Sequence, residues 1–352
     1  MRYFDYVKDR DIFYIEPEHF MFSSDKDILS HALGATLYMA ATRETLMKDI
    51  MKTTSCTVVI CLEDSVPTSL LKKAENNLIN FFGEVEKKAM EDGDFSDSLP
   101  LIFIRIRDKE QLQRIISKSR LIGLCGFVFP KFKPHEGKKY LEILRIYNRD
   151  NDKRLFAMPI LETPEVIYKE TRVEELLKLK HVFDSYKELI LNIRIGGTDF
   201  SGLYGLRRSS DVTIYDLAVI GDCIGDIVNM FKREDYVVSA PVNEYFQDSS
   251  EVLIREIMLD KANGLLGKTA IHPKQLALIN SLMVVSKEEY MDAEAIVNSS
   301  SDGVIRSSYS NKMNEVKPHL KWAQEIMLLS KITGVLNHGK SFRDILKYSE
   351  EI

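Results

Sequence analysis

Residues 188–202, ELILNIRIGGTDFSG, join a strongly apolar run to two glycines and an aspartate. The run is short and rich in isoleucine and leucine, which is typical of a strand buried on both faces of a parallel sheet. Gly196 and Gly197 carry no side chain that would keep a ligand from the backbone, and Asp199 follows directly. The segment therefore predicts a buried strand with a charged group at its carboxyl end.

Similar apolar runs recur along the chain and alternate with longer segments of helical periodicity, such as TSLLKKAENNLINFFGEVEKKAMED and DLAVIGDCIGDIVNMFKR. With 188–196, the predicted strands are 35–41, 56–62, 101–106, 126–130, 155–161, 236–242 and 264–271. Eight β-then-α units favour a (β/α)8 TIM barrel, an α/β fold with a parallel sheet. Two doubly wound domains would also fit the length, but no glycine-rich dinucleotide fingerprint follows the first strand.

Composition limits the classes of function. The chain has 352 residues, 45% hydrophobic and 29% charged, which is enough to bury a large core. A net charge of −5 gives no basic field for nucleic acid. The charged N-terminus and the lack of a run of about 18 apolar residues predict a cytoplasmic protein without a membrane segment. Four cysteines without a CxxC spacing argue against a disulfide framework or a zinc site.

Two regions are expected. Residues 1–285 would form the TIM-barrel catalytic domain, preceded by a short N-terminal lead-in. Residues 286–352 break the alternation with two helical patterns, EEYMDAEAIVNSS and HLKWAQEIMLLSKITGVL, separated by a polar stretch. They would form a C-terminal helical extension with a role in packing or oligomerisation.

Charged residues follow five successive predicted strands. They are Glu63 and Asp64, Arg105, Lys131, Glu162, and Asp199. The active site of a TIM barrel lies at the carboxyl ends of its strands, so these side chains should meet at one rim. A single charge after a strand is more often a solvated loop residue, but five in succession indicate a site.

These residue types suit one chemistry. Glu162 and Asp199 follow adjacent strands and could share Mg²⁺, which usually takes one or two carboxylates together with water and substrate oxygens. Arg105 could hold a substrate carboxylate in a bidentate pair, with Glu63 and Asp64 orienting it. The combination is suited to a 2-oxo acid and to an enolate.

Six blocks carry a family resemblance: VVICLEDSVP, FIRIRD, GFVFPKF, AMPILETPEVIY, IRIGGTDFSGLYG and GLLGKTAIHPKQ. In this order they resemble the HpcH/HpaI aldolase and citrate lyase β-subunit family over roughly residues 35 to 280. The chain is most similar to the branch of TIM-barrel C–C bond lyases associated with tellurite-resistance gene clusters.

The resemblance implies roles for individual residues. It places Mg²⁺ on Glu162 and Asp199, the oxo-acid carboxylate on Arg105, and the positioning of that arginine on Glu63 and Asp64. It also implies substrate contacts, which we assign to Arg43, Lys131, Gly197 and Thr198. For Lys131, a structural salt bridge at the rim is an equally good interpretation. Relatives of this type are commonly homo-oligomers, and we expect the same here.

The sequence departs from the family where its acyl-coenzyme A members hold the thioester. Met39-Ala40-Ala41 stands after the first strand, and Pro241-Val242-Asn243-Glu244 follows the seventh. Glu244 would repel a polyphosphate unless a cation offsets it. We therefore expect that a coenzyme A thioester is not required.

The predicted function is that of a Mg²⁺-dependent carbon–carbon lyase or aldolase that acts on a 2-oxo acid or its aldol adduct through a metal-stabilised enolate. Two alternatives stay open. The GGTDFSGLYG block is also similar to phosphoenolpyruvate-utilising barrels, which favours phosphoenolpyruvate-type enolate chemistry. A non-catalytic barrel that binds a metabolite as a scaffold in a stress-response pathway is the other.

Overall fold

The computed structural model describes residues 1–352 except 119, 153, 248–249, 301–302, 310–311 and 350–352. It contains all eight predicted barrel strands. They are β1 (Ala35–Ala40), β2 (Thr57–Cys61), β3 (Leu101–Arg105), β4 (Leu124–Phe129), β5 (Phe156–Leu161), β6 (Ile193–Ile195), β7 (Val238–Ser239) and β8 (Lys268–Ala270).

The eight strands form one parallel sheet whose order is β7-β6-β5-β4-β3-β2-β1-β8. The two end strands meet through a parallel bridge between Ala240 and Lys268. The backbone N–H of Leu266 also donates to the carbonyl of Val238 at 2.8 Å. The sheet therefore closes on itself, which confirms the predicted TIM barrel.

Each strand is followed by a helix on the outside of the barrel. In chain order these helices are Leu46–Lys52, Leu71–Glu91, Lys109–Lys118, Pro134–Asn151, Lys169–Ser185, Ala218–Phe231, Ser250–Ala262 and Leu276–Leu282. Short helices at Lys26–His31, Phe95–Ser98, Pro164–Ile167 and Gly197–Leu203 lie in the lead-in and the connections. Within β2, Val58 and Ile60 belong to the core shared with the outer helices, whereas Val59 belongs to the core inside the barrel. This alternation follows from the two-residue period of a strand.

Several strands are shorter than their apolar runs, and β6 and β7 show why. The run 236–242 contains only β7, because Pro241 has no N–H to donate to a ladder. The run 188–196 contains β6 and one isolated bridge between Ile190 and Ala157. Apolar character identified these strands, whereas their ends depend on pairing.

The two ends of the chain lie together. The strand Phe13–Ile15 pairs antiparallel with Val335–Leu336. The extension contains the helices Lys287–Val297, Val316–Thr333 and Phe342–Ser349, and its polar stretch contains an antiparallel pair, Val304–Arg306 with Met313–Glu315. Its last three residues lie outside the described part of the chain.

Backbone hydrogen bonds cross the predicted boundary after residue 285: Val285 donates to the carbonyl of Gly334, and Leu336 donates to the carbonyl of Val285. The division into residues 1–285 and 286–352 stays a prediction. In the described residues, no helix combines the length and apolar character needed to span a membrane.

Candidate active site

A cavity of about 230 Å³ lies at the carboxyl ends of the strands. Charged and polar side chains from six strands or the segments after them line it: Tyr38, Asp64, Arg105, Glu162, Arg194, Thr198, Asp199 and Thr269. Gly196, Gly197 and four aliphatic residues complete the wall. The structure thus brings the charges that follow the predicted strands to one rim.

Glu162 is the first residue after β5 and is 4% exposed. The backbone N–H of Lys131 donates to its Oε1 at 2.8 Å, which fixes the direction of the carboxylate. A β-carbon at Gly196 would collide with the Glu162 side chain. Glycine is therefore required at 196 because the carboxylate lies directly against the backbone of β6's end.

The ionisation of Glu162 is unusual. Burial raises the pKa of its carboxyl, Arg105 opposes this shift, and the negative charge of Asp199 adds to it, so that the pKa reaches about 7. Removal of a carboxylate from water disfavours its charged form, and a second carboxylate nearby disfavours it further. A cation between Glu162 and Asp199 would relieve both effects.

Arg105, the last residue of β3, is 8% exposed and sits among acids. Its Nη2 lies 2.7 Å from Glu63 Oε2, 2.8 Å from Asp64 Oδ2 and 3.6 Å from Glu162 Oε1. Its Nε is buried and has no hydrogen-bond partner among the described residues. The acids after β2 thus fix the guanidinium at Nη2, whereas Nε receives no such contact from the described residues.

Arg107 fixes the loop that carries these acids. Its Nε donates to the carbonyl of Leu62 at 2.8 Å, and its Nη2 donates to the carbonyl of Glu63 at 3.2 Å. Burial raises the pKa of the Glu63 carboxyl, and Arg105 opposes the shift. Arg107 therefore holds the loop that carries Glu63 and Asp64, and it does not line the cavity.

Lys131 follows β4 in a left-handed backbone conformation, with φ of +47°. Its Nζ lies 3.2 Å from Glu63 Oε1, 3.6 Å from Asp64 Oδ1 and 3.6 Å from Asp199 Oδ1. Burial lowers its pKa, but Glu63 and Asp199 outweigh burial and raise it to about 12. The positive charge of Lys131 thus lies between the acids after β2 and Asp199 after β6. This position is compatible with a structural salt bridge and with a contact to substrate.

Gly197, Thr198 and Asp199 form the first turn of the helix Gly197–Leu203 and line the cavity. The Thr198 hydroxyl donates to Glu244 Oε1 at 2.9 Å. Glu244 Oε2 accepts from Arg208 Nε at 2.7 Å. The loop after β7 is therefore joined to the turn that carries Asp199.

Arg43 is not brought to this cavity. Its side chain is 53% exposed, and its Nε lies 2.7 Å from Asp49 Oδ2. It lines a neighbouring cavity of about 740 Å³, which shares Tyr38 and Ile271 with the first. A role for Arg43 in binding substrate would therefore require a ligand that extends into the second cavity.

Sequence reasoning missed three residues of the cavity: Arg194 on β6, Tyr38 on β1 and Thr269 on β8. The Tyr38 ring centroid lies 6.0 Å from Cζ of Arg105 and 5.8 Å from Cζ of Arg194. Arg194 could have been found from the sequence, because a cation between two isoleucines of an apolar strand is unusual. Residues on either side of a strand residue point to the opposite face, so Arg194 points into the barrel.

The donor set fits a hard cation. The described residues include no group of three or more histidine, cysteine or acidic side chains arranged to hold a metal. The candidate ligands are the two carboxylates of Glu162 and Asp199 alone, and Mg²⁺ needs only one or two, with water and substrate supplying the rest. A transition-metal site with nitrogen and sulfur ligands does not fit these residues.

Comparisons with known proteins agree with the barrel fold. A model of the family described as C–C bond lyases of the TIM-barrel fold matches residues 27–335. No curated protein matches the chain.

Several solved structures are similar in fold. A citrate lyase from Burkholderia xenovorans LB400 is 14% identical, with a TM-score of 0.65 and coverage of 89% of this chain and 96% of its own. The protein CitE from Mycobacterium tuberculosis, in complex with magnesium, acetoacetate and coenzyme A, is 15% identical, with a TM-score of 0.58 and coverage of 86% and 99%. A magnesium and glyoxylate complex of malate synthase from Haloferax volcanii is 13% identical, with a TM-score of 0.55 and coverage of 69% and 72%. At these identities the likeness establishes the fold alone.

Proposed function

The chain belongs to the family of C–C bond lyases of the TIM-barrel fold, and we propose that it cleaves or forms a carbon–carbon bond in a 2-oxo acid or its aldol adduct with the help of Mg²⁺. The observation that carries this proposal is the pair Glu162 and Asp199, which follow adjacent strands and line one small cavity beside Arg105. The magnesium in the CitE and malate synthase structures named above supports it.

Glu162 and Asp199 would hold the metal. Mg²⁺ would act there as a Lewis acid that stabilises negative charge on an oxygen of the substrate. The electrostatics of the site favour a cation. Burial and the charge of Asp199 raise the pKa of Glu162, and a divalent cation between the two carboxylates would stabilise the charged form of both.

Arg105 would hold the carboxylate of the oxo acid. Glu63 and Asp64 contact its Nη2, which leaves the buried Nε free of protein partners. A guanidinium held on one side in this way presents its remaining N–H groups in a fixed direction, so little conformational entropy is lost when a carboxylate binds. Lys131 would keep the surrounding acids neutralised while substrate enters and leaves.

The structure weakens one of the reasons for excluding coenzyme A. Arg208 pairs with Glu244 and also with Glu256, so the negative charge of Glu244, on which the expectation against a thioester is based, is partly offset. The cavity beside Arg43 also contains Lys52 and Lys274. We retain the proposal that free oxo acids are substrates because the loops after the first and seventh strands differ from those of the acyl-coenzyme A members.

Calorimetric titration of Mg²⁺ into the wild type, Glu162→Gln and Asp199→Asn tests the metal site. We expect binding in the wild type and a loss of at least tenfold in each variant. Glu165→Gln is the matched control, because Glu165 lies three residues from Glu162 but pairs with Lys133 at 2.8 Å outside the cavity. Unchanged binding in both site variants would refute the proposed ligands.

Turnover is tested with a panel of free oxo-acid adducts, their phosphorylated counterparts and acyl-coenzyme A thioesters, all with Mg²⁺. Cleavage of free adducts supports the proposal. Cleavage of thioesters alone would show that coenzyme A is required. Metal binding without any turnover would favour a metabolite-binding scaffold.

A further inference from the structure

Arg194 is a buried cation at the base of the cavity. It lies in the middle of β6, is 2% exposed and points into the barrel. Its Nη2 donates to Thr269 Oγ1 at 2.7 Å, and its Nη1 donates to Thr36 Oγ1 at 3.5 Å. Both partners are neutral hydroxyls on strands across the barrel interior.

No carboxylate in the described part of the chain forms an ion pair with Arg194, and its buried Nε has no hydrogen-bond partner there. The other buried arginines of the described residues are all paired with acids: Arg105 contacts Glu63 and Asp64, Arg172 contacts Asp222 and Asp226, and Arg208 contacts Glu244 and Glu256. A buried charge without a counter-ion is costly and is seldom retained without a function.

The cavity supplies the place for a counter-ion. Arg194 lines it, and a guanidinium has five N–H donors arranged to bind a planar or tetrahedral anion at two points. The volume of about 230 Å³ corresponds to roughly eight water molecules at ~30 Å³ each, which suits a small substrate. Arg105 and Arg194 line the same small cavity, and their Cζ atoms lie 6.0 Å and 5.8 Å from the centroid of the Tyr38 ring, which also lines it.

We propose that Arg194 binds a second anionic group of the substrate, a carboxylate or a phosphate, in addition to the oxo-acid carboxylate held by Arg105. This inference rests on the proposed function and adds specificity to it. Arg194 would select dianionic oxo acids over oxo acids with an apolar tail, because a tail without charge leaves the guanidinium buried and unpaired.

Matched ligands of equal carbon number test the selection. In calorimetry with Mg²⁺, oxaloacetate is compared with 2-oxobutanoate and 2-oxoglutarate with 2-oxopentanoate, and phosphonopyruvate tests a phosphate-like group. We expect at least one dianion to bind the wild type more tightly than its monoanionic counterpart. Arg194→Met should weaken that dianion by a factor of about 10 to 100 and the monoanion by less than threefold. The proposal would be overturned if Arg194→Met weakened the binding of the dianion and the monoanion equally, or if it weakened the binding of neither.

Unfolding in urea without ligand provides a second readout that does not depend on activity. Arg194→Met should unfold at the same or a higher urea concentration than the wild type, because the variant removes an unpaired buried cation. The control Arg172→Met should unfold at a lower concentration, because it removes the ion pairs with Asp222 and Asp226 and the hydrogen bonds that Arg172 donates to the carbonyls of Val166 and Ile167. If Arg194→Met is destabilised as much as the control, Arg194 is structural and the proposal is wrong.

The outcomes separate this inference from the proposed function. Succinate, glutarate and inorganic phosphate are titrated without an oxo group. Arg194-dependent binding of one of these anions, with no turnover of any oxo acid, would remove the proposed function and support the anion site. Turnover of a monoanionic oxo acid at equal kcat/KM in the wild type and Arg194→Met would support the function and remove this inference.

Discussion

Two cations in the barrel strands, Lys268 on β8 and Arg194 on β6, have opposite surroundings. Both interrupt apolar runs, and both are buried. Lys268 points out of the barrel towards the helix Ser250–Ala262 and meets two carboxylates, with Nζ 2.9 Å from Glu256 Oε1 and 2.9 Å from Asp260 Oδ2. Arg194 points into the barrel, and its hydrogen-bond partners among the described residues are two hydroxyls.

The network around Lys268 is closed. Glu256 also contacts Arg208, and its Oε2 accepts from the backbone N–H of Ile214 at 2.8 Å. Asp260 Oδ1 accepts from the Tyr215 hydroxyl at 2.6 Å. Burial raises the pKa of Asp260, and Lys268 opposes that shift. Every acid of this network has protein partners, so it has no capacity left for a ligand.

The comparison teaches how to distinguish buried charge that supports the fold from buried charge that serves a site. A closed network satisfies its own members and joins helix, loop and strand. The cavity instead combines acids that repel each other at Glu162 and Asp199 with guanidinium nitrogens that lack partners. Groups left unsatisfied at a concave surface indicate ligand binding.

The closed network should be broken by a single substitution. Lys268→Met leaves Glu256 and Asp260 buried without their lysine, and we expect a loss of about 3–5 kcal/mol in the free energy of unfolding. Urea denaturation followed by circular dichroism measures it. The control Lys138→Met, at an exposed helix position, should change stability by less than about 0.5 kcal/mol. If both variants lost a similar free energy of unfolding, the buried ion pairs of Lys268 would contribute no more to stability than an exposed lysine does.

Arg105→Lys tests the open site. We expect kcat/KM to fall by a factor of about 10²–10³, because a point charge cannot contact Glu63, Asp64 and a substrate carboxylate together. Steady-state kinetics on the substrate identified by the panel measures the loss. Arg120→Lys, at an exposed ion pair with Glu86, is the control and should retain activity. Activity near that of the wild type in Arg105→Lys would exclude the proposed role of Arg105 in holding the carboxylate of the substrate.

The smallest expected effect is a dependence of Mg²⁺ affinity on pH. Because the pKa of Glu162 is about 7, a proton competes with the metal below that pH, and affinity should fall about tenfold per pH unit. The groups that face Glu162 are Arg105, Lys131 and Asp199. Calorimetry at pH 8 and pH 6 measures the change, and equal affinity at both would contradict it.

The same pKa has a consequence for the protein without metal. A carboxyl whose pKa is raised by folding binds its proton more tightly in the folded state than in the unfolded chain. Its contribution to stability is therefore present below its ordinary pKa of 4.5 and is lost as pH rises towards about 7. Added Mg²⁺ should restore stability most strongly above pH 7.

Much of the fold and the rim was predictable from the sequence. Eight short apolar runs separated by helical segments predicted the barrel, because local periodicity reports which face of each element is buried. The charges directly after those runs predicted the rim, because parallel strands end at the same edge. Glu63, Asp64, Arg105, Lys131, Glu162 and Asp199 were found in this way, and their side chains are close together.

Other features depended on contacts between distant residues. The end of β7 depends on pairing and on Pro241, and the pairing of Glu244 with Arg208 depends on how two loops meet. Arg43 follows its strand as the other residues do, yet it lies in the neighbouring cavity with Asp49. Sequence position gives the end of a strand but not the course of the loop beyond it.

The sequence by itself determined that Arg194 and Lys268 are cations within buried strands. It could not determine which of them would be neutralised, because that depends on which face of the strand each occupies and on what the closed barrel places opposite. Helix Ser250–Ala262 places Glu256 and Asp260 against the outer face of β8, whereas the hydrogen-bond partners that the described part of the barrel interior gives Arg194 are the hydroxyls of Thr36 and Thr269. Only the tertiary structure decides whether a buried charge is satisfied, since its partners come from segments far away in the chain.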